Sequence, residues 1–311
     1  MYALLFPGQG SQSLGMLSQW GQDPLVLKTF EEASERLHYD LWALTQSGPE
    51  EKLNQTEYTQ PALLTAGVAI YRLFSQSAKV MPAYLAGHSL GEYTALTCAG
   101  VIDFLDAVKL VEMRGRFMQM ASPAGEGAMA AIVGFSSEQV AQLCQQVSED
   151  TQLAISPANY NADAQTVIAG QAAAVDQAIL LAQQLGAKIA KKLTMSVPSH
   201  CMLMKPAADE LSDYLKTLSF CAPSIPVLQN AEVACYSTPE EIKNALVTQL
   251  YYPVRWVQTM NQLSQWGVSQ GYECAPGKVL TGLAKRIEPS PIVSAMSTPE
   301  EFKLVLDEVN A

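Results

Sequence analysis

The chain has 311 residues, 49% of them hydrophobic and 16% charged, which supplies a large buried core and excludes a disordered chain. Nineteen basic against 30 acidic side chains leave a net charge of −11, which argues against general nucleic-acid or anionic-membrane binding, since both need a basic surface. The six cysteines show no C-x-x-C spacing and no clustering with the three histidines, so reduced thiols in or near the core are expected, with no metal.

Tyr2 to Phe6 is a continuous apolar run of the kind a buried parallel strand shows. Pro7 and Gly8 end it too soon for a secretory leader, and no apolar segment approaches the roughly 18 residues of a membrane span. A cytoplasmic protein is expected. Pro7 to Gln12 is a glycine-rich loop, and without a following Lys-Ser/Thr it is no phosphate loop. It is either a plain strand-to-helix turn or a loop whose N–H groups, or Gln9 itself, line a site. Residues 24–46 and 50–56 read as helical, with Pro24 at a start and Gly48-Pro49 as a break. His38, among Glu35, Arg36, Tyr39 and Asp40, reads as a surface histidine, and Gln60 begins another helix.

Val80 to Ala86 is apolar and leads into Gly87-His88-Ser89-Leu90-Gly91, after which a helix-like segment runs to Gly100. Gly-x-Ser-x-Gly between a strand and a helix is the nucleophile elbow. Its tight turn lifts the serine hydroxyl to the positive N-terminal end of the helix. The next N–H, that of Leu90, points toward an oxyanion formed by attack of Ser89. A Gly-rich turn can share the spelling; the flanking strand and helix favour the elbow.

Asp103 caps a helix from Phe104 to Gln119. Ala107, Leu110 and Phe117 form its apolar stripe and Arg114 falls on that stripe, with Lys109, Glu112, Arg116 and Gln119 on the solvated face. A buried guanidinium needs an anionic partner. An internal salt bridge and a substrate carboxylate fit equally well at this point.

Ser122 to Gly127 reads as a boundary loop. Strand Ala128–Gly134, helix Ser137–Glu149, strands Leu153–Asn161 and Thr166–Gly170, helix Ala172–Gly186 and strand Lys188–Met195 follow it. That is the ferredoxin-like βαββαβ order, a subdomain at 127–195 inserted into a larger body of 1–126 and 196–311. A serine nucleophile is weak without a base. His88 would leave a strand by the opposite face and His38 is remote, which leaves His200, in the loop before a helix from Met202 to Leu218. Ile225 to Asn230 reads as a strand end and Pro239 to Leu250 as a helix. Gly271 to Glu273 reads as the last short strand, and Pro276 to Leu280 starts a final helical stretch.

Phe6-Pro-Gly-Gln-Gly-Ser-Gln12, Thr59-Gln-Pro-Ala62, Gly87-His-Ser-Leu-Gly91, Val111-Glu-Met-Arg-Gly115, Val197-Pro-Ser-His200, Gln249-Leu-Tyr251 and Pro276-Gly-Lys278 together resemble the bacterial malonyl-CoA:acyl carrier protein transacylase family, nearly end to end. The resemblance implies an α/β-hydrolase-like parallel-sheet core with the ferredoxin-like subdomain beside it and a cleft between them. It implies Ser89 as nucleophile, His200 as base, Arg114 as clamp for the malonyl carboxylate and the Gln9 and Leu90 amides as oxyanion hole. A carbonyl at Gln249 would orient the histidine, and Asn159 would help shape the cleft. Cys274-Ala275 departs from the apolar residue and Gly of many relatives, in a turn where packing is affected and chemistry is not.

The implied reaction moves malonyl from malonyl-CoA, through a malonyl-serine, to the phosphopantetheine thiol of holo acyl carrier protein for fatty-acid synthesis. It needs no cofactor. A monomer is expected, with the acidic carrier docking on a local basic patch drawn from Lys188, Lys191, Lys192, Lys285 and Arg286. The rivals are a serine thioesterase or esterase on the same fold, which would not explain Arg114, and a malonyltransferase of a polyketide pathway.

Overall fold

The computed structural model describes residues 1–123, 125–194 and 197–311. Ala124 in the boundary loop, Met195 at the end of the expected sixth strand and Ser196 at the domain boundary lie outside the described residues.

A six-stranded sheet holds β1 (Tyr2–Phe6), β2 (Tyr84–Gly87), β7 (Val227–Gln229), β8 (Ala234–Cys235), β9 (Gln270–Glu273) and β10 (Ile292–Ala295), in the order β10-β9-β1-β2-β7-β8. Every pairing is parallel except β7 with β8. Alternation along β1 splits the core: Tyr2, Leu4 and Phe6 face one apolar cluster, Ala3 and Leu5 another. Both faces are therefore covered, as a parallel sheet requires.

On the larger face lie α1 (Pro24–Leu37), α2 (Leu41–Ser47), α3 (Glu50–Leu53), α4 (Thr56–Ser77), α5 (Leu90–Cys98) and α6 (Phe104–Ala121). The single helix expected over 24–46 is two. His38 turns left-handed at φ 64° and caps α1, and the Asp40 carboxylate accepts from the Ala43 N–H to start α2.

The second sheet is antiparallel, in the order β4-β5-β3-β6, built from β3 (Gly127–Val133), β4 (Ile155–Ala162), β5 (Gln165–Gln171) and β6 (Ile189–Lys192). Helices α7 (Ser137–Thr151) and α8 (Ala172–Gln184) pack with Ala128, Ala130 and Ile132 on one face. The other face, with Met129, Val167 and Ala169, meets Cys201. Main-chain bonds tie the second sheet to the segment between the helices Pro239–Tyr251 and Trp256–Gln265: Tyr160 N–H donates to the Val254 carbonyl and Val254 N–H to the Ala158 carbonyl, each at 2.9 Å.

The main body is completed by α9 (Lys205–Lys216), α10 (Pro239–Tyr251), α11 (Trp256–Gln265), α12 (Val279–Ala284) and α13 (Pro299–Asn310). The strand at 270–273 is thus not the last, because β10 and α13 follow it. No helix of the described residues is long and apolar enough to cross a membrane. All six cysteines are free; Cys221 and Cys235 are exposed, contrary to the expected placement in or near the core, and the other four are buried.

Candidate active site

The elbow is built by contact. β2 ends at Gly87 and α5 starts at Leu90, so the turn has two residues. A Cβ on Gly87 would lie 1.9 Å from the Gly91 carbonyl carbon, and one on Gly91 would lie 2.0 Å from the Phe6 carbonyl oxygen. Only glycine fits at either position. Between them Ser89 sits at φ 52°, ψ −107°, with its N–H donating 2.7 Å to Asn230 Oδ1. Such a serine is strained by about 1–3 kcal/mol. Leu90 is the first residue of α5, so its N–H is one of the four that no intrahelical carbonyl can satisfy.

His200 reaches this serine from the far side of the cleft. Its Nε2 is 2.7 Å from Ser89 Oγ, and its Nδ1 donates to the Gln249 main-chain oxygen at 2.7 Å. Its own N–H donates to the Leu250 carbonyl at 3.1 Å. Both carbonyls belong to the last turn of α10, where helical oxygens lack partners. A carbonyl can only accept, so the proton sits on Nδ1 and the Nε2 lone pair faces the serine hydroxyl. Burial, and secondly the Arg114 cation, hold the imidazole down to about 3; the bond to Gln249 opposes this.

Arg114 is only 1% exposed, and among the described residues it forms no ion pair. The internal salt bridge left open by the sequence is not what holds it. Two neutral carboxamides do: Nη1 donates to Gln60 Oε1 at 2.8 Å and Nη2 to Gln249 Oε1 at 3.0 Å. Nη2 also reaches Ser89 Oγ at 3.4 Å, while Nε has no hydrogen-bond partner. The Tyr93 ring lies 5.1 Å from the guanidinium carbon. The cation is thus oriented by neutral groups beside the serine hydroxyl, and the buried Glu92 carboxyl acts on it through space without an ion-pair contact. Glu112, expected on the solvated face of α6, is buried instead and ion-paired to both Lys109 and Arg116.

Gln9, Ser89, Leu90, Arg114, Asn159 and His200 line one cleft that is open to solvent. Gln249 stands behind it. Met118 and Met129 add apolar wall on one side, and Val279, Leu280 and Leu283 of α12 on another. His88 is also at this cleft, contrary to the expectation that it leaves by the opposite face. The strand stops at Gly87, so alternation no longer governs His88, whose Nε2 lies 2.7 Å from Asn161 Oδ1. Gln60, Glu92 and Asn230 are polar site residues that the sequence reading missed. Their partners are 54, 157 and 141 residues away, so no local spacing announces them. Among the described residues no group of His, Cys, Asp or Glu is placed to hold a metal ion.

A strained serine, a neutral imidazole and a buried guanidinium with no ion pair among the described residues, in one cleft of an α/β fold, are the groups that an acyl-transfer enzyme working through serine would need. The acyl transferase domain model matches residues 3–293. The malonyl CoA-acyl carrier protein transacylase of Escherichia coli K12 is 52% identical over 307 residues, covering 98% of this chain and 99% of that one. The solved structure of the corresponding transacylase from Coxiella burnetii superimposes with a TM-score of 0.96 at 47% identity, covering 100% and 98%. A malonyl-transacylase solved in complex with its type II PKS acyl-carrier protein gives 0.96 at 48% identity, covering 99% of each chain. The chain belongs to the malonyl CoA-acyl carrier protein transacylase family of acyl transferases.

Proposed function

We infer that the chain transfers the malonyl group of malonyl-CoA to the phosphopantetheine thiol of holo acyl carrier protein, supplying the elongation unit for fatty-acid synthesis. Arg114 is the observation that favours malonyl. A guanidinium held by two neutral amides 3.4 Å from the Ser89 hydroxyl needs an anion, and the malonyl carboxylate supplies one through a bidentate fork. Ser89 attacks the thioester while His200 takes its proton, and the Gln9 and Leu90 N–H groups receive the oxyanion. His200 then protonates the leaving CoA thiolate. The carrier thiol repeats these steps in reverse, a ping-pong cycle that uses no metal or cofactor. Asn159 shapes the cleft wall.

The order β4-β5-β3-β6 with α7 and α8 on one face supports a ferredoxin-like subdomain at 127–195. The parallel sheet with Ser89 at the β2–α5 turn supports an α/β-hydrolase-like core at 1–126 and 196–311. We further place the protein in the cytoplasm as a monomer. The transacylase solved with its type II PKS carrier keeps a polyketide pathway as the second reading.

The deciding experiment is intact-protein mass after malonyl-CoA and again after holo carrier protein. A malonyl adduct on Ser89, removed by the carrier and absent in Ser89→Ala, is expected. An adduct lost to water equally fast without the carrier would make the protein a thioesterase.

A further inference from the structure

Among the described residues Glu92 is the one carboxylate packed under the elbow, and the transfer chemistry has no step for it. It is 0% exposed, on the first turn of α5. Burial raises it to about 7, with the Asn230 N–H, the Gln249 amide and the Arg114 cation pulling the other way. Its two oxygens are used unequally. Oε2 accepts from the Asn230 N–H at 2.8 Å and from Gln249 Nε2 at 3.1 Å, while Oε1 has no partner. The Gln249 amide nitrogen also donates to the Ser89 carbonyl at 2.8 Å, so both of its protons are committed. That fixes the carboxamide: turned over, it would set oxygen against two acceptors and N–H against the Arg114 donor.

We propose that Glu92 is a positioning residue that locks the Gln249 carboxamide with its oxygen toward Arg114, and so sets the preference for malonyl over acyl groups lacking a carboxylate. This rests on Arg114 being the carboxylate clamp. The lock acts through a hydrogen-bond acceptor at Oε2. A glutamine at position 92 can offer the same oxygen to both donors, with its NH2 in place of the unpartnered Oε1. A methionine cannot.

The test is the ratio of Ser89 acylation rates by malonyl-CoA and acetyl-CoA, read by intact mass in wild type, Glu92→Met, Glu92→Gln and Gln249→Met. Loss of one hydrogen bond to a charged group predicts that Glu92→Met and Gln249→Met lower the ratio by roughly tenfold or more. Glu92→Gln is expected to keep it within about threefold, since the acceptor survives. A general loss of fold would slow both acyl groups alike and leave the ratio unmoved. Should Glu92→Met fail to fold, Glu92→Gln and Gln249→Met still decide. A ratio lost in Glu92→Gln, or kept in Gln249→Met or in a folded Glu92→Met, overturns the lock while the acyl-transfer reading stands. A wild-type chain that takes no malonyl adduct overturns both.

Discussion

The ring of His200 donates from Nδ1 to the main-chain oxygen of Gln249, 2.7 Å away, where a carboxylate would stand in a Ser-His-Asp triad. A neutral acceptor fixes the tautomer and stabilises an imidazolium less than a carboxylate would. Burial and the neighbouring Arg114 cation then hold the ring down to about 3. The base form should persist well below the usual histidine range. Acylation of the free enzyme, read as kcat/KM for malonyl-CoA, is expected to stay flat from about pH 8 to about pH 5. An inflection near pH 6.5 that persists in Glu92→Gln, where the carboxyl raised to about 7 is gone, would show that the base titrates as an ordinary histidine. For stability the sign is that of a lowered folded value. The His200 contribution is full above the unfolded value of about 6.5 and is lost as pH falls from there toward 3, because the unfolded chain binds the proton the folded one refuses.

The backbone at Ser89 makes a second prediction. At φ 52°, ψ −107° a Cβ is strained, so this position should reverse the usual order of alanine over glycine. Ser89→Gly and Ser89→Ala both lose the hydroxyl bonded to His200, and both should take no malonyl adduct. The glycine variant is expected to be the more stable of the two by about 1 kcal/mol, compared by denaturant titration. An alanine variant as stable as the glycine one would mean that the turn relaxes.

Motif spelling made the elbow legible, and with it Ser89 and the Leu90 N–H, because a turn this tight tolerates few residues. Arg114 was legible as an anomaly, a cation on an apolar stripe, but its partners were not. Gln60 comes from α4 and Gln249 from α10, and only the fold brings these amides to one guanidinium. His88 was misplaced because strand alternation was extended one residue past the end of β2. The split at His38 was hidden by a left-handed cap that carries no glycine. The end of the chain did hold a signal. Thr298 before Pro299, with Glu300 and Glu301 in the first turn, opens α13 in the standard way.

Steric contact at the two elbow glycines gives a sharper expectation than propensity does. The added Cβ atoms of Gly87→Ala and Gly91→Ala would lie 1.9 Å and 2.0 Å from backbone atoms, which cannot swing aside as a side chain can. Each substitution should cost more than about 3 kcal/mol or abolish folding. Gly282→Ala in α12 is the control, since a Cβ there meets nothing within 4 Å. It should be neutral or stabilising by up to about 1 kcal/mol. Thermal unfolding of the three variants checks the order. A Gly87→Ala protein melting with wild type would contradict the packing of β2 against α5.

Docking of an acidic carrier on a chain of net charge −11 depends on where its few cations stand. Leu283 of α12 lines the cleft, and Lys285 and Arg286 follow it at the surface; Lys191 and Lys192 end β6 just before Leu193, which lines the cleft as well. They are not equally available. Lys192 is paired with Asp176 at 2.8 Å and Arg286 donates to Gln165 at 2.7 Å, whereas Lys191 and Lys285 form no ion pair among the described residues. The double reversal Lys191→Glu with Lys285→Glu should therefore weaken the carrier half-reaction most. We expect its KM for the carrier to rise about tenfold and its dependence on ionic strength to shrink. Acylation of Ser89 by a short malonyl thioester lacking the nucleotide should be unchanged, which separates docking from chemistry. A carrier KM that stays at the wild-type value would move the docking surface away from these lysines.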